Sequence, residues 1–349
     1  MTTFPSSFQP GDIRTRADIR KELGGSPQGG ITPSVEKKTV VLYSDIGSGE
    51  QYGYRDGWLR EEDRFGPVFE YTGAGTQDDQ VFSGGNASIL RHAIEGRTLH
   101  LFIAHGQTPG SGAKTHRYIG AFELDAAQPY IVRQARDEHK KKRDVIVFRL
   151  RPTSAYFRSE SDTIPPAKKT TVAFIRSRRR RRIQEPKEVR DARQRDMSAA
   201  TVAARNREDL VADYEETLSQ RQHNFGRLEV QVRDIEETLQ ASLYDESAHT
   251  LYEPAGSASR QALKDALMQL MDVSRHLNSI ENGMPLRCTV LAPGLPTEDM
   301  RQLLTRHNVG IIYRDESGAL IELQGAHQNP PSGGTPRGMS CLDCPARLN

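Results

Sequence analysis

The spacing of apolar and polar positions divides this chain into two differently patterned halves. Between residues 35 and 152 the apolar residues come in short runs: Thr39–Tyr43, Val68–Tyr71, Leu99–Ile103, Tyr118–Glu123, Tyr130–Arg133 and Val145–Leu150. Glycines and other turn formers part them. Such runs predict the strands of a compact β-rich domain. Two helices are expected with it, one over Thr15–Leu23 and one near Ala87–Ile94. From about residue 199 the period lengthens. Leu210, Val211, Tyr214 and Leu218 share one face of a helix over Ala199–Gln220, and Leu263, Leu267, Leu270 and Met271 form a stripe in Ser257–Leu277. Leu228, Val230 and Val232 alternate as in a strand, and Ser242–Asp245 with Leu251–Glu253 reads as a hairpin. A strand (Arg287–Ala292), a helix (Thr297–His307) and strands at Val309–Arg314 and Ala319–Leu323 complete an α/β pattern.

Composition and charge place the boundaries. Pro165–Pro166, Lys168–Lys169 and the run Arg178–Arg182 offer charge without an apolar period, which reads as a linker. The expected layout is an N-terminal domain at 10–152, a basic linker at 153–198, a second domain at 199–324 and a loose Pro/Gly-rich tail at 325–349. A length of 349 residues suffices for two domains. Hydrophobic residues make up 36% and mean hydropathy is −0.66, a polar chain whose net charge of +2 conceals its uneven distribution. Three cysteines make a poor disulfide framework and fit a reducing compartment. No apolar run is long enough to span a membrane, and the first residues lack the order of a secretion signal. The expectation is a soluble cytoplasmic protein without a membrane partner. Cys341 and Cys344, with no second pair nearby, make a weak half-site for zinc, and His92, His105, His116 and His139 show no ligand spacing.

The densest chemistry lies in the N-terminal half. YGYRDGW (Tyr52–Trp58) is followed by FEYTGAG (Phe69–Gly75), DDQ (Asp78–Gln80) and GGN (Gly84–Asn86). A protein that inspects one base of a duplex must take it out of the stack, enclose it with aromatic faces and contact its Watson–Crick edge. Tyr54 and Tyr71 can supply the faces; Asp56, the Thr72 hydroxyl and backbone groups near Gly73 and Gly75 can supply the edge contacts, the glycines allowing close approach. This ordered set, with QGGI at Gln28–Ile31, resembles the SRA (YDG) domain family, in particular the SRA-like domains of bacterial modification-dependent restriction proteins. The resemblance covers roughly residues 10–150. It implies a curved β-barrel-like fold that binds double-stranded DNA and flips a modified base, often a modified cytosine, into a pocket formed here by Tyr54, Asp56, Tyr71 and Thr72. The charged stretch LREEDRFGP between the two motifs departs from the family pattern and leaves the preferred modification open. Arg178, Arg179, Arg180, Arg181 and Arg182 are candidate phosphate contacts, which would add affinity without sequence information; Lys140–Arg143 reads as a charged hairpin loop.

The second domain, over about residues 205–323, resembles a branch of the PD-(D/E)XK nuclease superfamily, the restriction-endonuclease-like α/β fold. That chemistry needs two carboxylates to hold Mg²⁺ and a lysine to help activate water. Glu253 stands at the second carboxylate position, but Ala255 occupies the lysine position and Ser242 the first aspartate position. Asp245 and Lys264 are the candidates for a relocated pair, with Glu253 and Asp245 as metal ligands, and Glu208 a further acidic candidate. The reading is therefore an α+β protein that binds modified DNA through its first domain and carries a degenerate nuclease-like second domain. The alternative is an active Mg²⁺-dependent, modification-dependent endonuclease; Mg²⁺ is expected only in that case. A homodimer through the second domain is left open, and a coiled-coil scaffold over Ala199–Leu239 ranks low because His223–Gly226 interrupts its heptads.

Overall fold

The computed structural model describes residues 8–137, 139–177, 185–196 and 198–323. Its first half contains β1 (Ile13–Thr15), α1 (Arg16–Leu23), β2 (Ile31–Ser34), β3 (Thr39–Ser44), α2 (Ile46–Gly49), β4 (Gly57–Trp58), β5 (Phe69–Thr72), α3 (Gly84–Arg91), β6 (Thr98–Gln107), β7 (Lys114–Leu124), β8 (Tyr130–Arg136) and β9 (Lys142–Tyr156). All six apolar runs of the sequence fall in or beside these strands. Helix α1 starts where expected, because Thr15 and Asp18 form a capping box. Helix α3 starts earlier than expected, at Gly84, so that GGN is its first turn. A Cβ on Gly85 would stand 2.8 Å from the Ile31 Cβ, and the glycine is what lets the helix lie against β2.

The strands form one nine-stranded sheet with the path β2-β3-β6-β7-β9-β5-β4; β1 joins β7, and β8 joins β9. Strand β9 is long enough to pair with β5 and β8 near its start and with β7 near its end. That wraps the sheet around a core of Trp58, Phe69, Tyr71, Phe122 and Phe148. Among the described residues β2 and β4 are the ends of the path and do not pair, so the sheet is curved but open, and the expected barrel does not close. The domain also runs past 152: β9 continues to Tyr156, and Ile164 packs with Leu59 and Val68.

The second half contains β10 (Thr171–Arg176), α4 (Lys187–Arg195), α5 (Ala199–Gln220), β11 (Phe225–Gln231), β12 (Thr238–Asp245), β13 (Thr250–Pro254), α6 (Arg260–Ser274), β14 (Ile280–Glu281), β15 (Met284–Pro285), β16 (Arg287–Ala292), α7 (Glu298–Arg306), β17 (Val309–Arg314) and β18 (Leu320–Glu322). The mixed sheet β10-β11-β12-β13-β16-β17-β18 has parallel pairs only at β13–β16 and β16–β17. Helix α5 buries Leu210, Tyr214 and Leu218 on one face of the sheet, against Leu243, Tyr252 and Leu291. Its apolar stripe is thus used within the chain. On the other face α6 and α7 pack Leu263, Leu267, Leu270, Met300 and Leu304 over Val230, Leu251 and Val290.

The segment expected to be a bare linker is largely structured where it is described. Strand β10 adds to β11 in register from Thr171↔Gln231 to Arg176↔Gly226, and a Cβ at Gly226 would come within 2.1 Å of the Ile175 carbonyl oxygen. Helix α4 inserts Val189 into the core of the first sheet. Backbone hydrogen bonds and single anchoring apolar residues hold these elements, so no apolar period announced them. Arg178–Arg182, Cys341, Cys344 and the tail from residue 324 lie outside the described residues.

The two sheets meet directly. The Gln134 amide donates to Glu229 at 3.1 Å and Gln240 Nε2 to the Val132 carbonyl at 3.0 Å. Among the described residues no helix is long and apolar enough to cross a membrane.

Candidate nucleic-acid interface

The residues of the YGYRDGW and FEYTGAG motifs converge at one end of the first sheet. Asp56 follows a short helical segment after β3, and its carboxylate reaches across to β5. One oxygen accepts the Thr72 amide at 2.8 Å and the other the Ser44 hydroxyl at 2.8 Å. Asp56 is half-buried, and burial pushes its carboxyl above the usual carboxylate range, against the lowering effect of its hydrogen bonds to Thr72 and Ser44.

The turn Gly73–Gly75 is held from below. Gln80 Nε2 donates to the Gly73 carbonyl at 2.6 Å and to the Gly75 carbonyl at 3.1 Å, and its Oε1 accepts the Ile146 amide at 2.9 Å. Asn86 brackets Ala74, accepting its amide at 2.7 Å and donating to its carbonyl at 3.0 Å. A Cβ on Gly73 would lie 2.8 Å from Asn86 Oδ1 and 2.9 Å from Gln80 Oε1, so this clamp requires the glycine. The Tyr54 hydroxyl donates to the Gly75 carbonyl and accepts from Arg143 at 3.0 Å. Gln80 and Asn86 explain why DDQ and GGN accompany the tyrosine motifs. Their roles, and those of Ser44 and Arg143, were missed from sequence; the position of DDQ and GGN directly after the two tyrosine motifs was the available signal. Arg143, expected in a charged loop, is buried instead.

Tyr54 and Tyr71 do not form the two walls of one slot. Tyr71 pairs in register with Phe148 and lies in the core with Ile146. Tyr54 packs against Val145 and Val147. These residues alternate along β9, and successive side chains of a strand point to opposite faces. The two rings therefore lie on opposite faces of the sheet. Tyr71 is 3% exposed, and its hydroxyl donates to the Gly30 carbonyl at 3.0 Å, which places QGGI beside it. Burial raises its phenol well above the ordinary range. Next to Gly30, Arg16 lies 3.9 Å over the Tyr43 ring and donates to the Gly29 carbonyl at 2.9 Å, a cation that the motif reading did not include.

On the Tyr54 face, Thr72, Gly53 and Arg55 line a cavity of about 60 Å³ whose far wall is Glu229, Gln231 and Thr238 of the second sheet. At about 10–15 Å³ of such space for one water it has room for a few solvent molecules. Beside it Asp56 is half-buried, and Gly75 at the tip of the turn is exposed. A carboxylate so oriented can accept a hydrogen bond from an exocyclic amino group, as on N4 of cytosine.

The residues proposed for metal chemistry in the second domain stay apart. Asp245 ends β12 opposite Thr250, and Glu253 lies three residues further along β13, an odd offset that puts it on the other face. Asp245 is fully buried and already committed: it accepts from the Ser247 and Ala248 amides at 3.0 and 3.2 Å and pairs with His223 Nδ1 at 2.6 Å. Lys264 is exposed on α6, and Glu208 pairs with Arg193 at 2.9 Å. Among the described residues no three His, Cys, Asp or Glu side chains gather as a metal site, and Asp245 and Glu253 lie on opposite faces of the sheet. Burial pushes the Glu253 carboxyl up to about 8, with only the Arg207 guanidinium acting to lower it.

A raised carboxyl pKa costs the folded state nothing while the group is protonated in both states, and costs it stability once the unfolded state ionises first. The contribution of Glu253 should be intact below its ordinary value of 4.5 and fall progressively as pH rises to about 8. Glu253→Gln should then raise the melting temperature at pH 7–8.5 and leave it unchanged at pH 4, in melts across that range; an equal change at both pH values would contradict the shift.

Residues 10–168 match the family model described as ScoMcrA-like, SRA domain. No curated protein matches the chain. Among solved structures, the chain is similar to the sulfur binding domain and SRA domain of ScoMcrA complexed with phosphorothioated DNA, at 23% identity and a TM-score of 0.31, over 42% of this chain and 40% of that one. It is also similar to the type IV phosphorothioation-dependent restriction endonuclease ScoMcrA, at 19% identity and a TM-score of 0.31, over 54% of this chain and 30% of that one. A third is the SUVH5 SRA–fully methylated CG DNA complex, at 17% identity and a TM-score of 0.30, over 44% and 94%. The chain thus spans well under half the length of the two ScoMcrA chains. Over residues 10–168, then, this chain is similar to the SRA domain of the ScoMcrA-like type.

Proposed function

We propose that this protein reads a modified base, a modified cytosine in the first instance, by extruding it from duplex DNA toward the Asp56 edge of the SRA domain, in a restriction or defence context. The observation that carries the reading is the Asp56 carboxyl: half-buried, fixed by Ser44 and the Thr72 amide, and next to a glycine turn clamped by Gln80 and Asn86. Preorganised acceptors of this kind can discriminate base edges. Tyr71 supports the strand from inside, and Tyr54 fixes the turn through its hydroxyl, so neither ring needs to wall the base. The basic residues Arg178–Arg182 would add phosphate contacts that do not distinguish sequences. The second domain is proposed as a nuclease-like module without a working metal centre, on the isolation of Glu253 beside Arg207.

The test is a titration of the full chain with duplexes carrying 5-hydroxymethylcytosine, 5-methylcytosine or cytosine at one position, with 2-aminopurine as its neighbour. Tighter binding of one modified duplex, with a fluorescence rise as the neighbour unstacks, is the expected result. Equal affinity for all three with no fluorescence change would refute base reading. The same mixtures with Mg²⁺ should leave the DNA uncut; cleavage that Glu253→Gln abolishes would restore the endonuclease.

A further inference from the structure

We propose that the β11–β12 hairpin of the second domain holds both reading segments of the SRA domain in place, so that base recognition and docking of the second sheet are one linked equilibrium. This inference rests on the base-reading function proposed above. The first link is Arg55, the middle residue of Tyr54–Arg55–Asp56. Its neighbours turn toward the glycine turn and Thr72, while its guanidinium runs the other way and donates to the Glu236 carbonyl at 3.3 Å and the Pro165 carbonyl at 2.9 Å. The second link is Arg227 of β11, which donates to Asp144 at 2.9 Å. The Asp144 carbonyl accepts the amide of Gln80 at 2.8 Å, and Gln80 is the residue that clamps Gly73 and Gly75. Shifting the hairpin therefore pulls on the Asp56 segment through one contact and on the glycine turn through another.

Linkage makes the effect reciprocal: a duplex that fixes the reading segments must also stabilise the docked hairpin. Arg227 acts through Asp144 and Gln80, which makes it a positioning residue. Its measure is the ratio of affinities for modified and unmodified duplex rather than either affinity alone. In the full chain, Arg227→Gln is expected to reduce that ratio about fivefold or more, the lower end of typical coupling, and Arg227→Lys to restore part of it. Arg314→Gln, which breaks a pair with Asp213 inside the second domain, should leave the ratio unchanged. A folded Arg227→Gln protein with the wild-type ratio would overturn the proposal. A second measurement needs no variant. Hydrogen exchange at 225–245 should slow when the wild-type chain is saturated with its tightest duplex, and unchanged exchange there would also overturn the coupling. A wild-type chain with no preference among duplexes would sink base reading alone, and the exchange result would still decide the coupling.

Discussion

Glu70→Ala is expected to destabilise the protein by about 3–5 kcal/mol, the usual cost of removing one member of a buried ion pair. Glu70 sits on β5 between Phe69 and Tyr71, with its side chain fully buried. It pairs with Arg133 and, at 3.3 Å, with Arg149. Its removal leaves two buried guanidiniums facing each other, with Glu237 of the second domain, 3.7 Å from Arg149, as the nearest remaining carboxylate. Burying an uncompensated charge is costly because the interior solvates it poorly. Chemical denaturation of wild type and variant measures the difference. A loss below about 1 kcal/mol, the range of exposed pairs, would mean that Glu237 and solvent can replace Glu70. Because β5 carries Thr72 as well, the same variant should weaken DNA binding.

The second large effect is on recognition. Asp56→Asn keeps an oxygen for the Thr72 amide and a polar group for Ser44, so the fold should survive. It converts one acceptor into a donor at the edge proposed to meet the base. An amino group on the base would then face another amino group. Affinity for the preferred modified duplex should fall about tenfold to a hundredfold, corresponding to roughly 1–3 kcal/mol for a matched base contact. Unmodified cytosine carries the same amino group; its duplex should change little in affinity only because its base is not extruded to this edge. Competition binding with the two duplexes reads the difference. Equal losses on both would assign Asp56 to the scaffold, through its bonds to Ser44 and Thr72.

Much of the N-terminal fold could be read in the apolar runs, because each strand has one face committed to a core and the alternation records it. The motif residues were legible as a group, and Asp56, Thr72, Gly73 and Gly75 do come together at one edge. Their individual geometry was not. Seventeen positions separate Tyr54 from Tyr71, and that spacing says nothing about the face each ring takes. The face is set by the register of β5 and β8 on β9, where Tyr71 meets Phe148 and Thr72 meets Val147. The carboxylates of the relocated set are separated for a similar reason. Asp245 is close to Glu253 in sequence, but it ends its strand and caps the turn that follows.

The sequence by itself determined the order of the main apolar strands and helices, the β-rich and α/β halves, and the cluster of glycine, tyrosine and acidic residues around Asp56. These depend on local propensity, on periodicity and on motifs of a few residues. Only the tertiary structure decided that the sheet stays open, that β10 and α4 are parts of the two cores, and that the second sheet contacts β8 of the first. Those outcomes depend on strand register and on charges paired across more than eighty positions, as with Arg227 and Asp144. Such pairings leave no periodic trace, because each partner alone looks like an ordinary solvated charge.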